Sequence, residues 1–282
     1  MATGAPTAQR QAVPVRHRPN VDEMTEPQVE ALRDAFADMQ TVQDDRGYAY
    51  YAGQHGLPLP KECRVAHGWP AFLPWHRAYL YEFEQALRDN GRHDVMLPWW
   101  DWTRTREVPA AFAEQTRPDG SPNPLFSASI SAEALEQGKR ADPAEERGWQ
   151  WTRELAEIPE TAREPGRPGT ELPPPREVDR VMKEPDYEGF RSEIEDYHGD
   201  VHVWVGGHMG NLPFAAFDPL FWSHHCMIDR LWREWQLDKS NATFPAAVRG
   251  QVMEPFNWTA VQVLDPTALG YDYAISVGQV RP

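Results

Sequence analysis

The chain has 282 residues and a formal net charge of −15, from 28 Lys and Arg against 43 Asp and Glu. This charge opposes binding to nucleic acid and to anionic membrane surfaces, and it favours small neutral or cationic ligands. No apolar stretch approaches the ~20 residues of a membrane span. Residues 1–282 are expected to form a single domain, with a core from about 18 to 273, because the histidines described below must converge.

The N-terminal sequence lacks the apolar central region of a secretory signal. It therefore predicts a cytoplasmic protein, with secretion through a partner or a removed leader as the alternative. Cys63 and Cys226 are the only cysteines in the sequence. Their number favours two free thiols over a disulfide framework.

Helical periodicity begins after Thr25-Glu-Pro-Gln28, which has the spacing of a capping box. Apolar side chains then recur at helical spacing, at Val29, Leu32, Phe36 and Met39. A second helix is predicted from Tyr48 to His55, ended by Gly56 and Pro58. His55 is thus placed at a helix end.

A third helix is predicted to begin near His76, because Pro70 and Pro74 interrupt the preceding segment. His76 shares one stripe with Leu80 and Phe83, so it faces the core. From about residue 120 to about 186 the sequence is rich in Pro, Glu, Arg and Gly. This composition predicts a long loop excursion, with one short helix between Trp149 and Ile158.

Two later helices carry histidines. The first is predicted from Gly189 to Val205 and places His198 and His202 one turn apart on one face. The second holds His225 in helical register with apolar and aromatic residues, and short strands and turns follow from Asn257 to Val277. The predicted fold is mainly α, a four-helix bundle with inward histidines, long loops and few short strands, and such a bundle core can hold a metal site.

The candidate ligands form two groups of three histidines: His55, His67 and His76, then His198, His202 and His225. Imidazole suits copper, zinc, iron and nickel, and without Cys or carboxylate partners the set favours copper or zinc. Three ligands leave each metal an open position, as in catalytic sites. Two open copper ions that face each other are suited to dioxygen.

Packing is the alternative explanation for each histidine. A lone His-x3-His on a helix is structural about as often as it binds metal, but six imidazoles on core-facing stripes all need partners for their nitrogens. Three histidines lie on no such stripe and are assigned to packing or the surface: His17, His93 and His208. His224, rotated ~100° from its neighbour His225, is assigned to packing or to support of a ligand.

Two segments carry a family resemblance. His67-x4-Phe72-Leu73-x-Trp75-His76-Arg77-x2-Leu80-x3-Glu84 resembles the first copper signature of the tyrosinase family. Asp218-Pro219-x-Phe221-Trp222-x2-His225-x3-Asp229 resembles the second. The resemblance runs from about Arg18 to Tyr273 and includes Pro98–Trp102 and Leu269–Tyr273, while Gln54–Pro58 is similar to the oxygen-carrying units of molluscan hemocyanin.

The resemblance implies two copper ions, the first held by His55, His67 and His76 and the second by His198, His202 and His225. It also implies oxidation of ortho-diphenols to ortho-quinones by dioxygen. Small phenols and dioxygen are then the partners, and a protein that delivers copper is a further candidate partner. Ortho-aminophenol oxidation and full tyrosinase activity are alternatives within the same chemistry.

Monophenol hydroxylation in this family is associated with an Asn after the first histidine of the second copper, acting with an upstream Glu on an ordered water. In this chain Gly199 stands in the place of that Asn, and Glu195 can take the role of the Glu. A carboxylate without its amide partner is expected to take up the phenol proton less well. The resemblance therefore implies strong diphenol oxidation with weak or lagging monophenol hydroxylation.

Other departures from the family concern the first copper and access. Many members carry a thioether-linked Cys where this chain has Val65, so we expect no such crosslink. Many also carry a C-terminal plug domain, and we expect none because the chain ends nine residues after Tyr273. Access is instead assigned to Leu212, Pro213 and Phe214 and to the Pro-rich excursion.

Two alternatives come from other functional classes. The hemocyanin-like setting of His55 is compatible with a protein that binds oxygen and excludes phenols. A zinc hydrolase is disfavoured, because no carboxylate stands at metal-ligand spacing beside the histidines.

Overall fold

The computed structural model describes residues 14–59, 67–92, 94–141 and 152–274. The α-helices in these segments are α1 (Glu26–Thr41), α2 (Tyr48–His55), α3 (Phe72–Asp89), α4 (Ala110–Ala113), α5 (Ala132–Lys139), α6 (Thr152–Leu155), α7 (Pro175–Val181), α8 (Tyr187–Val205), α9 (Leu220–Asp238) and α10 (Ala246–Arg249). The strands are β1 (Arg16–Arg18), β2 (Val252–Met253), β3 (Trp258–Thr259) and β4 (Tyr271–Tyr273). Short 3-10 helices cover Val21–Glu23, Ala215–Phe217, Ala260–Val263 and Pro266–Leu269. The mainly α fold with few short strands is confirmed.

Helices α2, α3, α8 and α9 surround the histidines. Helix α3 packs against both α8 and α9. Phe83 of α3 stacks on Trp222 of α9, with ring centroids 3.5 Å apart and rings nearly parallel. None of the described helices is both long and apolar enough to cross a membrane.

Helix α1 begins as predicted, whereas α3 begins earlier than predicted. Thr25 and Gln28 form the expected capping box, with the Thr25 backbone N–H donating to Gln28 Oε1 at 2.8 Å. Helix α3 starts at Phe72 rather than near His76, so Pro74 lies inside its first turn. Proline is tolerated there because first-turn N–H groups have no intrahelical acceptor.

The Pro-rich excursion is more helical than the sequence predicted. Helix α5 is capped by the Ser131 side chain, which accepts from the backbone N–H of Ala134. Helix α7 starts at Pro175, a position where the fixed φ of proline suits a helix. Helix α6 lies within the one short helix that was predicted, although residues 149–151 of that prediction are outside the described segments. The described part of the excursion therefore holds two helices that the sequence analysis did not predict, α5 and α7.

The first and last strands of the described chain pair with each other. Strand β1 pairs in parallel with β4, with Arg18 opposite Tyr273. The guanidinium of Arg18 is fully buried and donates to Glu84 Oε2 on α3 at 2.9 Å. It also lies 3.4 Å from Asp229 Oδ2 on α9. These bonds tie the pair of strands β1 and β4 to two histidine-bearing helices.

Asp229 is the centre of this buried network. Its Oδ1 accepts from Arg77 Nε at 2.5 Å, and its Oδ2 accepts from the hydroxyls of Tyr271 at 2.7 Å and Tyr273 at 2.5 Å. Burial alone raises the pKa of Asp229, but the charges of Arg77 and Arg18 and the hydrogen bonds outweigh it and lower the pKa below its ordinary value. The network fixes α3 against α9, and with them His76 and His225.

The structure describes only one of the two cysteines, Cys226. Cys226 is a buried free cysteine, and burial raises the pKa of its thiol. Cys63, Val65 and His93 lie outside the described residues.

Candidate metal centre and its cavity

Three imidazoles converge at the interface of α8 and α9. The Nε2 atoms of His198, His202 and His225 lie 3.0–3.3 Å from one another. Three nitrogens each about 2.0–2.1 Å from one ion at tetrahedral angles lie about 3.3 Å apart. The observed triangle therefore has the size that one bound metal ion requires.

Backbone carbonyls hold the opposite nitrogen of two of these rings. Nδ1 of His202 lies 2.8 Å from the carbonyl oxygen of Met209, and Nδ1 of His198 lies 3.3 Å from that of Glu195. Because a carbonyl only accepts, each Nδ1 carries the proton and each Nε2 keeps its lone pair for a metal.

The other three predicted ligands lie beside this triangle. The rings of His55, His67 and His76 have centroids 5.3–5.9 Å apart. His55 ends α2, His67 lies in the turn before α3, and His76 lies near the start of α3. Nδ1 of His76 is 2.9 Å from the Phe72 carbonyl oxygen, which again leaves Nε2 free.

Gly56 allows the end of α2, and so His55, to approach the second half of the chain. The backbone N–H of Leu57 donates to the Pro213 carbonyl at 2.9 Å. A Cβ atom at Gly56 would lie 2.3 Å from that carbonyl oxygen. Any side chain at position 56 would therefore push His55 away from the site.

Burial keeps the imidazoles neutral. Burial first, and then the charge of neighbouring histidines, lowers the pKa well below its usual value for His55, His76, His198 and His225. Burial also lowers the pKa of His202 to about 4. Neutral imidazole is the form that binds a metal ion.

The donor set fits two metal ions. Within the described residues, the buried Nε2 atoms of His55, His67 and His76 have no hydrogen-bond partner. Such atoms are costly when left unsatisfied, and a metal ion would satisfy all three. The two groups adjoin, because the rings of His76 and His225 stack with centroids 4.5 Å apart. In each group the ligand atoms lie within 4.8 Å of one another.

His224 is closer to the centre than the sequence suggested. Its ring lies parallel to that of His198 with centroids 5.3 Å apart, and it belongs to the same group of donors within 4.8 Å. His224 does not belong to the Nε2 triangle of His198, His202 and His225. Neither of its ring nitrogens has a hydrogen-bond partner among the described residues. His208 instead packs away from the centre, with its Nδ1 accepting from the Ala162 backbone at 2.9 Å.

Glu195 is held in an ion-pair and hydrogen-bond network. Its Oε1 accepts from the backbone N–H of Gly68 at 2.6 Å and lies 3.3 Å from Nδ1 of His67. Its Oε2 accepts from Arg191 at 2.7 Å. Burial alone raises the pKa of Glu195, but the hydrogen bonds from His67, Gly68 and Arg191 lower it below the ordinary value.

A cavity of about 550 Å³ lies against the histidines. It is lined by His67, Glu195, Asp196, His198, Gly199, Asp200, His202, Val203, Met209, Gly210 and Leu212. Both groups of histidines contribute to this lining, so a small molecule in the cavity would reach both.

The residues assigned to access separate into two sets. Gly199 and Leu212 line the cavity, whereas Pro213 and Phe214 do not. Phe214 is fully buried and packs on His208 with ring centroids 5.8 Å apart, so its assignment to access was wrong. No described residue between 120 and 186 lines the cavity either, so the described part of the Pro-rich excursion does not have this role.

The sequence analysis missed Asp196, Asp200 and Met209. The two aspartates are four residues apart on α8 and flank His198, a helical spacing that could have indicated them. Burial and then the charge of Asp196 raise the pKa of Asp200. Met209 follows the end of α8 and carries no local signal of its role, which depends on its carbonyl meeting His202.

Comparison with known proteins places this site in a family. A family model, the common central domain of tyrosinase, matches residues 45–238. A tyrosinase of Streptomyces lincolnensis is 35% identical over 206 residues, which cover 68% of this chain and 72% of that protein. An A-type hemocyanin (units Ode to Odg) of Enteroctopus dofleini is 30% identical over 297 residues, which cover 93% of this chain. The chain spans about a fifth of that hemocyanin, 22% of its length.

Solved structures have the same fold. A functional unit from octopus hemocyanin aligns with a TM-score of 0.72 and 28% identity, covering 91% of this chain and 67% of that one. A copper-bound mutant of the active tyrosinase of Aspergillus oryzae aligns with a TM-score of 0.74 and 19% identity, covering 93% and 92%. At this identity the second likeness concerns the fold alone. With the match over residues 45–238, these findings show that the chain belongs to the tyrosinase family, whose tyrosinases and hemocyanins bind two copper ions.

Proposed function

We propose that this protein oxidises ortho-diphenols to ortho-quinones with dioxygen, at two copper ions held by its two groups of histidines. The observation that carries the proposal is the cavity of about 550 Å³ that reaches His67, His198 and His202. An oxygen carrier must exclude phenols from its metals, whereas this cavity has room for a single phenolic ring beside them.

The chain's own residues bind and orient the substrate. Two diphenols each lose two electrons and two protons, and together these reduce one dioxygen to two waters. Bound copper would supply the path for electrons from diphenol to dioxygen. Leu212, Val203 and Met209 supply apolar surface for the ring. The backbone carbonyls that bind Nδ1 of His76, His198 and His202 leave each Nε2 lone pair free, so these imidazoles would hold copper without a change of tautomer.

Weak monophenol hydroxylation forms part of the proposal. Glu195 already accepts from Gly68 and Arg191 and lies beside His67, so few of its lone pairs are free for a phenol proton. Gly199 lines the cavity without a side chain that could hold a water. A Cβ atom at Gly199 would meet nothing within 4 Å among the described residues, so the space for an amide is available.

The test is oxygen uptake by the copper-loaded protein with a monophenol and its matching ortho-diphenol, each supplied alone. Wild type is expected to respond promptly to the diphenol and weakly, or after a lag, to the monophenol. Gly199→Asn is expected to raise the monophenol rate relative to the diphenol rate by about 10-fold. This is less than the roughly 100-fold or more of a fully available proton acceptor, because Glu195 stays engaged with Gly68 and Arg191. Gly199→Ala is the control, because it adds a Cβ atom but no amide.

The outcomes separate the alternatives. Equal wild-type rates with both substrates would make the protein a full tyrosinase and contradict the role given to Gly199. Uptake with an ortho-aminophenol but not the diphenol would identify an aminophenol oxidase. Reversible oxygen binding without phenol oxidation would identify a carrier, the function favoured by the extent of the match to hemocyanin, 93% of this chain.

The lining also favours neutral or cationic phenols. Three carboxylates line the cavity, on Glu195, Asp196 and Asp200, and no Lys or Arg of the described segments belongs to the lining. Asp196 and Asp200 are exposed at its rim. Their field attracts a cationic side chain and repels an anionic one, in the same direction as the net charge of −15.

We therefore expect kcat/KM for a catechol with an aminoethyl group to exceed that for one with a carboxymethyl group by about 10-fold at low ionic strength. Asp196→Asn with Asp200→Asn should reduce this ratio several-fold and leave uncharged 4-methylcatechol nearly unaffected. Added salt should reduce the wild-type ratio in the same way. A ratio insensitive to both the substitutions and the salt would contradict the selection by charge, while oxidation of 4-methylcatechol would still support the reaction.

A further inference from the structure

His67 differs from the other candidate ligands in what supports it. The other five lie on helices α2, α3, α8 and α9, whereas His67 lies in the turn that precedes α3. Its side chain is 21% exposed, more than any of the other five residues, each of which is under 10% exposed. A ring in such a position needs a specific contact to hold its orientation.

Glu195 supplies that contact from the opposite half of the chain. One oxygen, Oε1, accepts from the backbone N–H of Gly68 at 2.6 Å and lies 3.3 Å from Nδ1 of His67. The same atom therefore fixes both the turn and the ring. Glu195 and Gly68 are 127 residues apart in the sequence.

Arg191 keeps the carboxylate in place. Its Nη1 donates to Glu195 Oε2 at 2.7 Å, one helical turn away on α8. Arg191 is largely buried and also pairs with Glu188. Because Oε2 is occupied by this ion pair, Oε1 is left to face His67 and Gly68.

The protonation of His67 follows from this geometry. A carboxylate only accepts, so Nδ1 of His67 carries the proton and Nε2 keeps its lone pair. That Nε2 atom is buried and has no hydrogen-bond partner among the described residues. Outer contacts of this kind orient metal-bound histidines and raise their basicity.

We propose that Glu195 is a positioning residue that holds His67 as an Nε2 ligand of the first copper. Because Glu195 lies three residues before His198 on α8, it also joins the first copper site to the helix that carries the second. This inference rests on the assignment of His67 as a ligand and does not depend on phenol oxidation.

The test measures copper retained per chain after timed exposure to a chelator, without any substrate. Glu195→Gln cannot keep the ion pair with Arg191 and is expected to release one copper about 10–100-fold more readily than wild type, while the other stays bound. Asp196→Asn, at the neighbouring exposed carboxylate, is the matched control and is expected to retain both. Glu195→Asp, which keeps the charge but not the reach, is a second variant and is expected to show the same selective loss.

A double-mutant cycle with His67→Ala separates positioning from a general role in folding. His67→Ala alone is expected to bind one copper, and adding Glu195→Gln should cause no further loss. Retention of both coppers by Glu195→Gln and Glu195→Asp would overturn the proposal. The proposal would also be overturned if adding Glu195→Gln to His67→Ala caused a further loss of copper, from the second site, as large as the loss that Glu195→Gln causes alone.

Discussion

His225→Ala is expected to lower the bound copper from two ions to about one per chain and to reduce diphenol-dependent oxygen uptake by at least about 100-fold. Removing an outer contact of a metal site lowers metal affinity or activity by about 10–100-fold, so removing a ligand should lower activity by at least the upper value. The Nε2 of His225 lies 3.3 Å from that of both His198 and His202, and without it the second site keeps two of its three converging nitrogens. Copper is measured by elemental analysis, and activity by an oxygen electrode.

Two comparisons make this prediction specific. His224→Ala removes the adjacent imidazole, which takes no part in the triangle of Nε2 contacts, and is expected to retain both coppers. His17→Ala removes an exposed histidine on β1 and should match wild type. His225→Gln accompanies the alanine variant, because it keeps more of the buried volume. Two coppers in both His225 variants, with one in His224→Ala, would transfer the ligand role to His224.

Local patterns predicted the helices that carry the site. The capping box at Thr25–Gln28 and the histidine spacing on α8 involve residues within one or two helical turns, which the sequence displays directly. The error at α3 came from treating Pro74 as a helix breaker, when a first-turn proline costs the helix no hydrogen bond. Composition also concealed α5 and α7, because the Glu residues of α5 and the Pro, Arg and Glu residues of α7 were counted toward a loop-forming composition.

Contacts between distant segments could not be read from the sequence. Glu195 was assigned to proton transfer from its place before His198, but its contacts with His67 and Gly68 exist only in the folded chain. Phe214 was assigned to access because it precedes the second signature, yet it packs in the core. The periodicity that locates a helix gives no information on which distant segment covers a given side chain.

The network around Asp229 explains why residues far from the metals belong to the two signatures. Arg77 and Asp229 stand in different signatures and form a buried ion pair at 2.5 Å. Tyr271 and Tyr273 of the C-terminal motif donate to the other oxygen of the same carboxylate. These side chains hold α3 and α9 in the register that brings His76 and His225 together. Each signature therefore combines a histidine that binds metal with a charged residue, Arg77 or Asp229, that fixes the helix.

Asp229→Asn is expected to lower the free energy of unfolding by about 3–5 kcal/mol near neutral pH, the usual cost of removing one partner of a buried ion pair. The asparagine keeps the shape of the side chain but leaves Arg77 without its counterion. Asp272→Asn is the matched control, because its pair with Arg233 also joins β4 to α9 but is partly exposed. It should cost no more than about 1 kcal/mol, as surface pairs do. Urea unfolding of the copper-free proteins, followed by circular dichroism, measures both.

The difference in free energy of unfolding between wild type and Asp229→Asn depends on pH, because the pKa of Asp229 is lowered in the folded protein. A carboxyl group whose folded pKa is depressed contributes its stabilisation above its unfolded pKa, about 3.9, and loses it as the pH falls through the folded value. The difference in stability between wild type and Asp229→Asn should therefore be constant from about pH 7 to about pH 5 and shrink below about pH 4. Subtracting the two stabilities cancels the contributions of groups that the substitution leaves unchanged, so the difference isolates Asp229. A difference of under about 1 kcal/mol near neutral pH, equal to that of Asp272→Asn, would show that the buried carboxylate does not lock α3 to α9.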